Sequence, residues 1–103
     1  MLELTSKQRK ILEKAAHILD PIVIIGQNGV TDSLVQMVSN SLKAHELIKV
    51  KFNEYKEDRV EYANDIALKT DSTLVRIIGN VAIFYKENED SSKRKIKLKQ
   101  AAK

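Results

Sequence analysis

Two of the three glycines in this sequence, Gly26 and Gly29, bracket the pair Gln27 and Asn28, and the quartet separates the apolar run Ile22 to Ile25 from a helical pattern starting near Thr31. Glycine admits positive φ and lets a foreign backbone approach closely, while a helix start offers unpaired N–H groups and partial positive charge. Together these make a corner suited to an anionic phosphate. The same placement also describes a plain strand-to-helix turn, and spacing alone does not separate the two. Gln27 and Asn28 are neutral and Asp32 lies close by, so the countercharge for a phosphate has to come from other segments.

Two lysine clusters supply candidates. Lys7, Lys10 and Lys14 recur at spacings of three and four, which places them on one stripe of a helix beside its apolar face, with Arg9 off that stripe. Lys49 and Lys51 alternate with Ile48, Val50 and Phe52, so both lysines share one face of a strand whose other face is apolar. A GxxG loop with flanking cations is the device by which KH domains clamp a nucleic-acid backbone.

Other reactive groups read as structural. His17 and His45 each fall near the end of a helical pattern, where a cation meets a favourable dipole, and no cysteine or third histidine stands by to complete a zinc site, so no metal and no cofactor is expected. Glu54, Glu57, Asp58 and Glu61 occupy a polar connection and the first turn of a helix, a position that carboxylates favour without any acid/base role. Tyr62 and Tyr85 read as packing residues and form no clustered RNA-recognition pattern, while Tyr55, in the polar connection, is left open. A catalytic constellation is missing, and the expectation is a non-enzyme.

The elements that must hold these residues follow from periodicity and punctuation. Thr5 and Gln8 have capping-box spacing, Ile11, Leu12, Ala15 and Leu19 then recur at helical intervals, and Asp20-Pro21 stops the run. Ile22 to Ile25 has no polar alternation and predicts a strand buried on both faces or nearly so. Leu34, Val38 and Leu42 mark a second helix from about Thr31 to His45, capped by Thr31 or Asp32, and Glu46 to Phe52 is a strand. Val60, Ala63, Ile66 and Ala67 give a third helix a narrow stripe of small residues, and Gly79-Asn80 joins two strands in a hairpin. The order is α-β-α-β-α-β-β. Two strand-helix-strand crossovers favour parallel pairing, the hairpin adds an antiparallel strand, and a four-stranded mixed sheet in an α/β two-layer fold buries every apolar stripe.

At 103 residues with 43% hydrophobic content the chain has material for one core, and no apolar run approaches the length of a membrane span. The formal charge of +4 is uneven: Lys93, Arg94, Lys95, Lys97, Lys99 and Lys103 carry six positive charges, which leaves residues 1–92 at −2. Bulk basicity therefore explains nothing about the body, and local clusters decide. Residues 1–86 are expected to form the single domain and 87–103 a flexible basic tail, since Ile96 and Leu98 are its apolar residues. With no cysteine and no apolar leader after Met1, a reducing cytoplasm is the expected location.

The pattern as a whole resembles the YhbY-type ribosome-maturation proteins that share the CRM (chloroplast RNA splicing and ribosome maturation) domain, over roughly residues 3 to 86. The likeness rests on Leu4-Thr5-Ser6-Lys7-Gln8, on Asp20-Pro21-Ile22-Val23-Ile24-Ile25-Gly26-Gln27-Asn28-Gly29-Val30-Thr31, and on His45-Glu46-Leu47-Ile48-Lys49-Val50-Lys51. It implies a two-layer fold similar to the C-terminal domain of translation initiation factor three, with the first helix as an addition. It also implies RNA binding through Gly26, Gln27, Asn28 and Gly29 with adjacent basic surface, and association with precursors of the large ribosomal subunit. Two other readings compete. An Alba-like DNA-binding protein also places a glycine loop between strand and helix, and an enzyme holding a nucleotide phosphate would need a Walker-type or GxGxxG sequence that is missing here.

Overall fold

The computed structural model describes residues 3–94 and Ile96. Thr5 caps the first helix α1 (Ser6–His17) with the expected reciprocal box: its hydroxyl accepts from the Gln8 N–H at 3.1 Å, and the Gln8 side chain accepts from the Thr5 N–H at 2.9 Å. Strand β1 (Val23–Ile25) leads through the glycine quartet to α2 (Asp32–His45), then β2 (Leu47–Phe52), α3 (Arg59–Thr70), β3 (Thr73–Ile78) and β4 (Val81–Tyr85). This is the α-β-α-β-α-β-β order, closed as a four-stranded mixed sheet of order β1-β2-β4-β3.

Strand β1 pairs with β2 in parallel, as a helical crossover favours. The second crossover, through α3, does not bring β2 and β3 into contact. Strand β4 folds back at Gly79, where φ is +60°, and inserts between them, antiparallel to both. Its residues explain the choice: Ala82, Ile83, Phe84 and Tyr85 are all buried, so both faces of β4 need cover, and only a central position supplies it.

The sheet carries a core on each face. Toward α2 and α3, Val23, Ile25, Ile48, Val50, Phe52, Ala82 and Phe84 meet Leu34, Val38 and Leu42 of α2 and Ala63, Ile66 and Ala67 of α3. On the opposite face, Leu47, Val75, Ile83 and Tyr85 receive Leu12 and Ala16 of α1. Helix α1 is thus an addition to the two main layers with a core of its own, and Arg9 fastens its start by donating to the carbonyls of Leu74 and Val75.

Two expectations change. Strand β1 is not buried on both faces: Ile24 is 54% exposed, because β1 is an edge strand and α1 does not extend over it. The buried stripe of α1 is Leu12 and Ala16 rather than one including Ile11 and Leu19, and Val60, 59% exposed, drops out of the α3 stripe, which Thr70 completes.

The described part of the chain after Lys86 makes contacts with the body. Glu46, only 1% exposed, accepts hydrogen bonds through its carboxylate from the N–H of Asn88 at 2.8 Å and of Ile96 at 3.2 Å, and Ile96 packs against the α1 core. Arg94 adds an ion pair with Glu87 at 3.2 Å. Tyr85 lies in the same region. Burial, reinforced by Glu46 and Glu87 and opposed by Arg94, pushes its phenol up to about 12, so it stays neutral at physiological pH. The tail assignment for Lys95 and residues 97–103 lies outside the described residues. A chain ending at Lys86 removes two donors from a buried carboxylate, a loss of about 1–3 kcal/mol. Its thermal midpoint is therefore expected to fall by more than about 4 °C; a midpoint within about 2 °C of the parent would show that the segment is a mere appendage.

Candidate nucleic-acid interface

Residues Gly26 to Gly29 form a tight turn at the end of β1, closed by the Gly29 N–H donating to the Gly26 carbonyl at 3.0 Å. The β1 end is pinned from the other side, because Asn53 and Glu54 both donate their N–H groups to the Ile25 carbonyl at 3.0 and 3.2 Å. Gln27 and Asn28 are exposed at the tip.

The two glycines serve different ends. Gly29 takes φ +68°, which favours glycine. Gly26 does not take positive φ, and a Cβ built on it meets nothing within 4 Å, so neither strain nor crowding inside the protein calls for glycine there. The missing side chain leaves backbone open to an outside group.

The helix start beyond the turn offers less than expected. Thr31 caps α2 by accepting from the Leu34 N–H at 3.1 Å, and Asp32 sets a carboxylate in the first turn. Donors for an anion must then come mainly from the turn itself. On one flank of the turn, Glu54, Glu57 and Asp58 line a polar hollow with Tyr55 and one cation, Lys56, and Asp58 and Glu61 help to raise the Tyr62 phenol above its ordinary value, after burial as the first cause. With three carboxylates against one lysine, that flank carries net negative charge and disfavours an anionic group.

The other side is the sheet face that bears α1. Lys51 pairs with Ile24, two residues before Gly26, and stands exposed beside the turn. Lys49 lies one pleat farther away, half-buried, and its ammonium donates to the Leu19 carbonyl at 2.9 Å, tethering the segment after α1. Lys7, Lys10 and Lys14 are exposed, but at 100° per residue they lie about 160–220° round the helix from Leu12. They point away from the sheet rather than toward the turn. The structure therefore groups Lys51 with the glycine turn, gives Lys49 a structural bond, and leaves the α1 lysines as a separate positive stripe on the same side of the sheet.

Two residues near the site were not assigned to it from the sequence, Arg76 unremarked and Tyr55 left open. Arg76 sits across Ile83 from Lys49 on the same sheet face, held by Glu13 of α1 at 2.6 Å, with its side chain 60% exposed. Its signal was present, since it is the one charged residue between Thr73 and Ile78. For Tyr55 the sequence gave no sign of a link to the turn: it lies 28 positions from Gln27, yet its hydroxyl donates to the Gln27 carbonyl.

The fold and the site define a small α/β domain that presents a glycine-bracketed turn at the end of an edge strand, beside exposed basic residues. The chain belongs to the CRS1 / YhbY (CRM) domain family, whose model matches residues 4–86. It is 37% identical over 89 residues to "Probable RNA-binding protein YqeI" of Bacillus subtilis, spanning 85% of this chain and 93% of that protein. It is 35% identical over 92 residues to a Haemophilus influenzae protein named "RNA-binding protein", spanning 88% and 93%. The solution structure of the hypothetical protein SAV1595 from Staphylococcus aureus superposes with a TM-score of 0.75 at 32% identity, covering 92% of this chain and all of that one.

Proposed function

We propose that this protein binds RNA without chemical change, admitting the phosphate backbone at Gly26, Gln27, Asn28 and Gly29 and neutralising it with Lys51, assisted by Lys49 and by Lys7, Lys10 and Lys14. The observation that carries this reading is Gly26, a glycine that no strain or crowding inside the fold requires, in an exposed turn beside an exposed lysine. The names of the relatives from Bacillus subtilis and Haemophilus influenzae agree with RNA as the partner. The family resemblance extends the reading to ribosomal RNA precursors and assembly of the large ribosomal subunit in the cytoplasm.

Fluorescence anisotropy with a structured RNA and a matched DNA duplex at several salt concentrations tests the binding. RNA affinity is expected to fall with salt by a log–log slope of about −3 for roughly four phosphate contacts. The triple variant K7Q/K10Q/K14Q is expected to flatten the slope, by about 0.7 for each lysine that meets a phosphate and up to about 2 units in all. An unchanged slope removes α1 from the site, and duplex DNA bound as tightly as RNA overturns the choice of partner. Crosslinking in cells with sequencing of bound RNA checks the ribosomal assignment, which fails if reads do not gather on ribosomal precursors.

A further inference from the structure

Tyr55 is a bulky residue in the left-handed region, with φ 56° and ψ 36°, a conformation that glycine or asparagine adopts at lower cost. Its ring is not there for core burial, since the residue remains 37% exposed. The side chain reaches back to the glycine turn instead. Its hydroxyl donates to the Gln27 carbonyl, and its ring lies so close to Gly29 that a Cβ on that glycine would stand 3.4 Å from Cε2. Tyr62 braces the ring from α3, with centroids 5.2 Å apart and planes inclined at 44°. A residue from the connection after β2 thus closes over the turn after β1.

The consequence lies in the peptide between Gln27 and Asn28. No peptide among the described residues is cis, so the Gln27 carbonyl and the Asn28 N–H point in opposite directions. Drawing the carbonyl toward Tyr55 turns the Asn28 N–H away from it and away from the net-negative hollow that Glu54, Glu57, Asp58 and Lys56 line around that tyrosine. We propose that Tyr55 is a positioning residue for RNA, and that its hydroxyl, by holding the Gln27 carbonyl, aims the Asn28 N–H at an incoming phosphodiester oxygen. The proposal rests on the reading of the turn as the backbone contact and assigns the donor within it. Preorganised donors bind better because no ordering remains to be done on association. Gly29 fits the same scheme through its φ of +68°, which glycine adopts at low cost and which sets the turn in contact range of the ring.

Y55F isolates the effect, because it keeps the ring against Gly29 and Tyr62 and removes only the hydroxyl. With the full chain and a structured RNA at low salt, Y55F is expected to bind five- to tenfold more weakly. Its log–log salt slope stays that of the parent, since no cation is lost, and its melting midpoint stays within about 2 °C. In the free protein the Asn28 amide resonance is expected to move, with small changes elsewhere. The double variant Q27D/N28D, measured alongside, separates the two ideas. If Y55F binds within twofold of the parent while Q27D/N28D loses binding, the turn remains the contact and Tyr55 has no positioning role. If both bind like the parent, the turn itself is not the site. A weakened Y55F whose midpoint drops by several degrees and whose slope flattens would show a general packing role and overturn the proposal.

Discussion

The Gln27→Asp, Asn28→Asp double variant is expected to lose RNA affinity by at least about thirtyfold, near 2 kcal/mol, while keeping its fold. Both side chains are exposed at the tip of the turn, so neither change empties the core. Gly29 keeps its φ of +68°, and the hydrogen bond from Tyr55 goes to a backbone carbonyl that both substitutions retain. What changes is charge: two carboxylates now face the phosphate and compete for the same N–H groups. Aspartate a few residues before α2 also suits the positive end of the helix, which argues against unfolding. Circular dichroism with a thermal melt checks that first, and anisotropy at low salt follows. Binding within threefold of the parent by a folded variant would reduce the glycine quartet to a turn and remove the main reading.

Leu12→Ala is expected to cost about 2–5 kcal/mol, because the side chain is 0% exposed between α1 and the second face of the sheet, beside Leu47, Val75, Ile83 and Tyr85. For a domain of this size that is a fall of roughly 10–30 °C in melting midpoint, a large part of the usual stability. Denaturant titration should show the midpoint moving with little change in slope, the mark of lost stability in a two-state transition. A cost under about 1 kcal/mol would mean that α1 rests loosely on the sheet, and the lysine stripe it carries would then have no fixed place relative to the turn. The two experiments bear on different links: the first changes the charge of the site and leaves the scaffold, the second weakens the scaffold and leaves the site residues in the sequence.

The features that sequence reasoning recovered are local ones. The capping box of Thr5 and Gln8, the Thr31 cap, the helical stripe of Leu34, Val38 and Leu42, and the Gly79-Asn80 hairpin each depend on residues a few positions apart, and all are present. The position of the glycine quartet between a strand and a helix is of the same kind, as is the face shared by Lys49 and Lys51, which a period of two dictates. Together they determined the element order and the mixed sheet.

Tertiary structure decided what depends on partners distant in the chain. Strand β4 lies between β2 and β3 because its buried residues on both faces need neighbours on both sides, a competition that no window of a few residues contains. Ile24 reads as core in a run of β-branched residues, yet it is exposed because β1 falls at the edge. Glu46 reads as the first residue of a strand; the strand starts at Leu47 instead, and burial beside the N–H groups of Asn88 and Ile96 makes Glu46 the anchor of the segment after Lys86. The α1 lysines share a stripe by spacing, but only the docking of Leu12 and Ala16 shows that this stripe points outward. The closure of Tyr55 on Gln27 follows the same rule: a single hydrogen bond across 28 positions leaves no periodicity in the sequence, and it arises only when the parallel pairing of β1 and β2 sets their ends side by side.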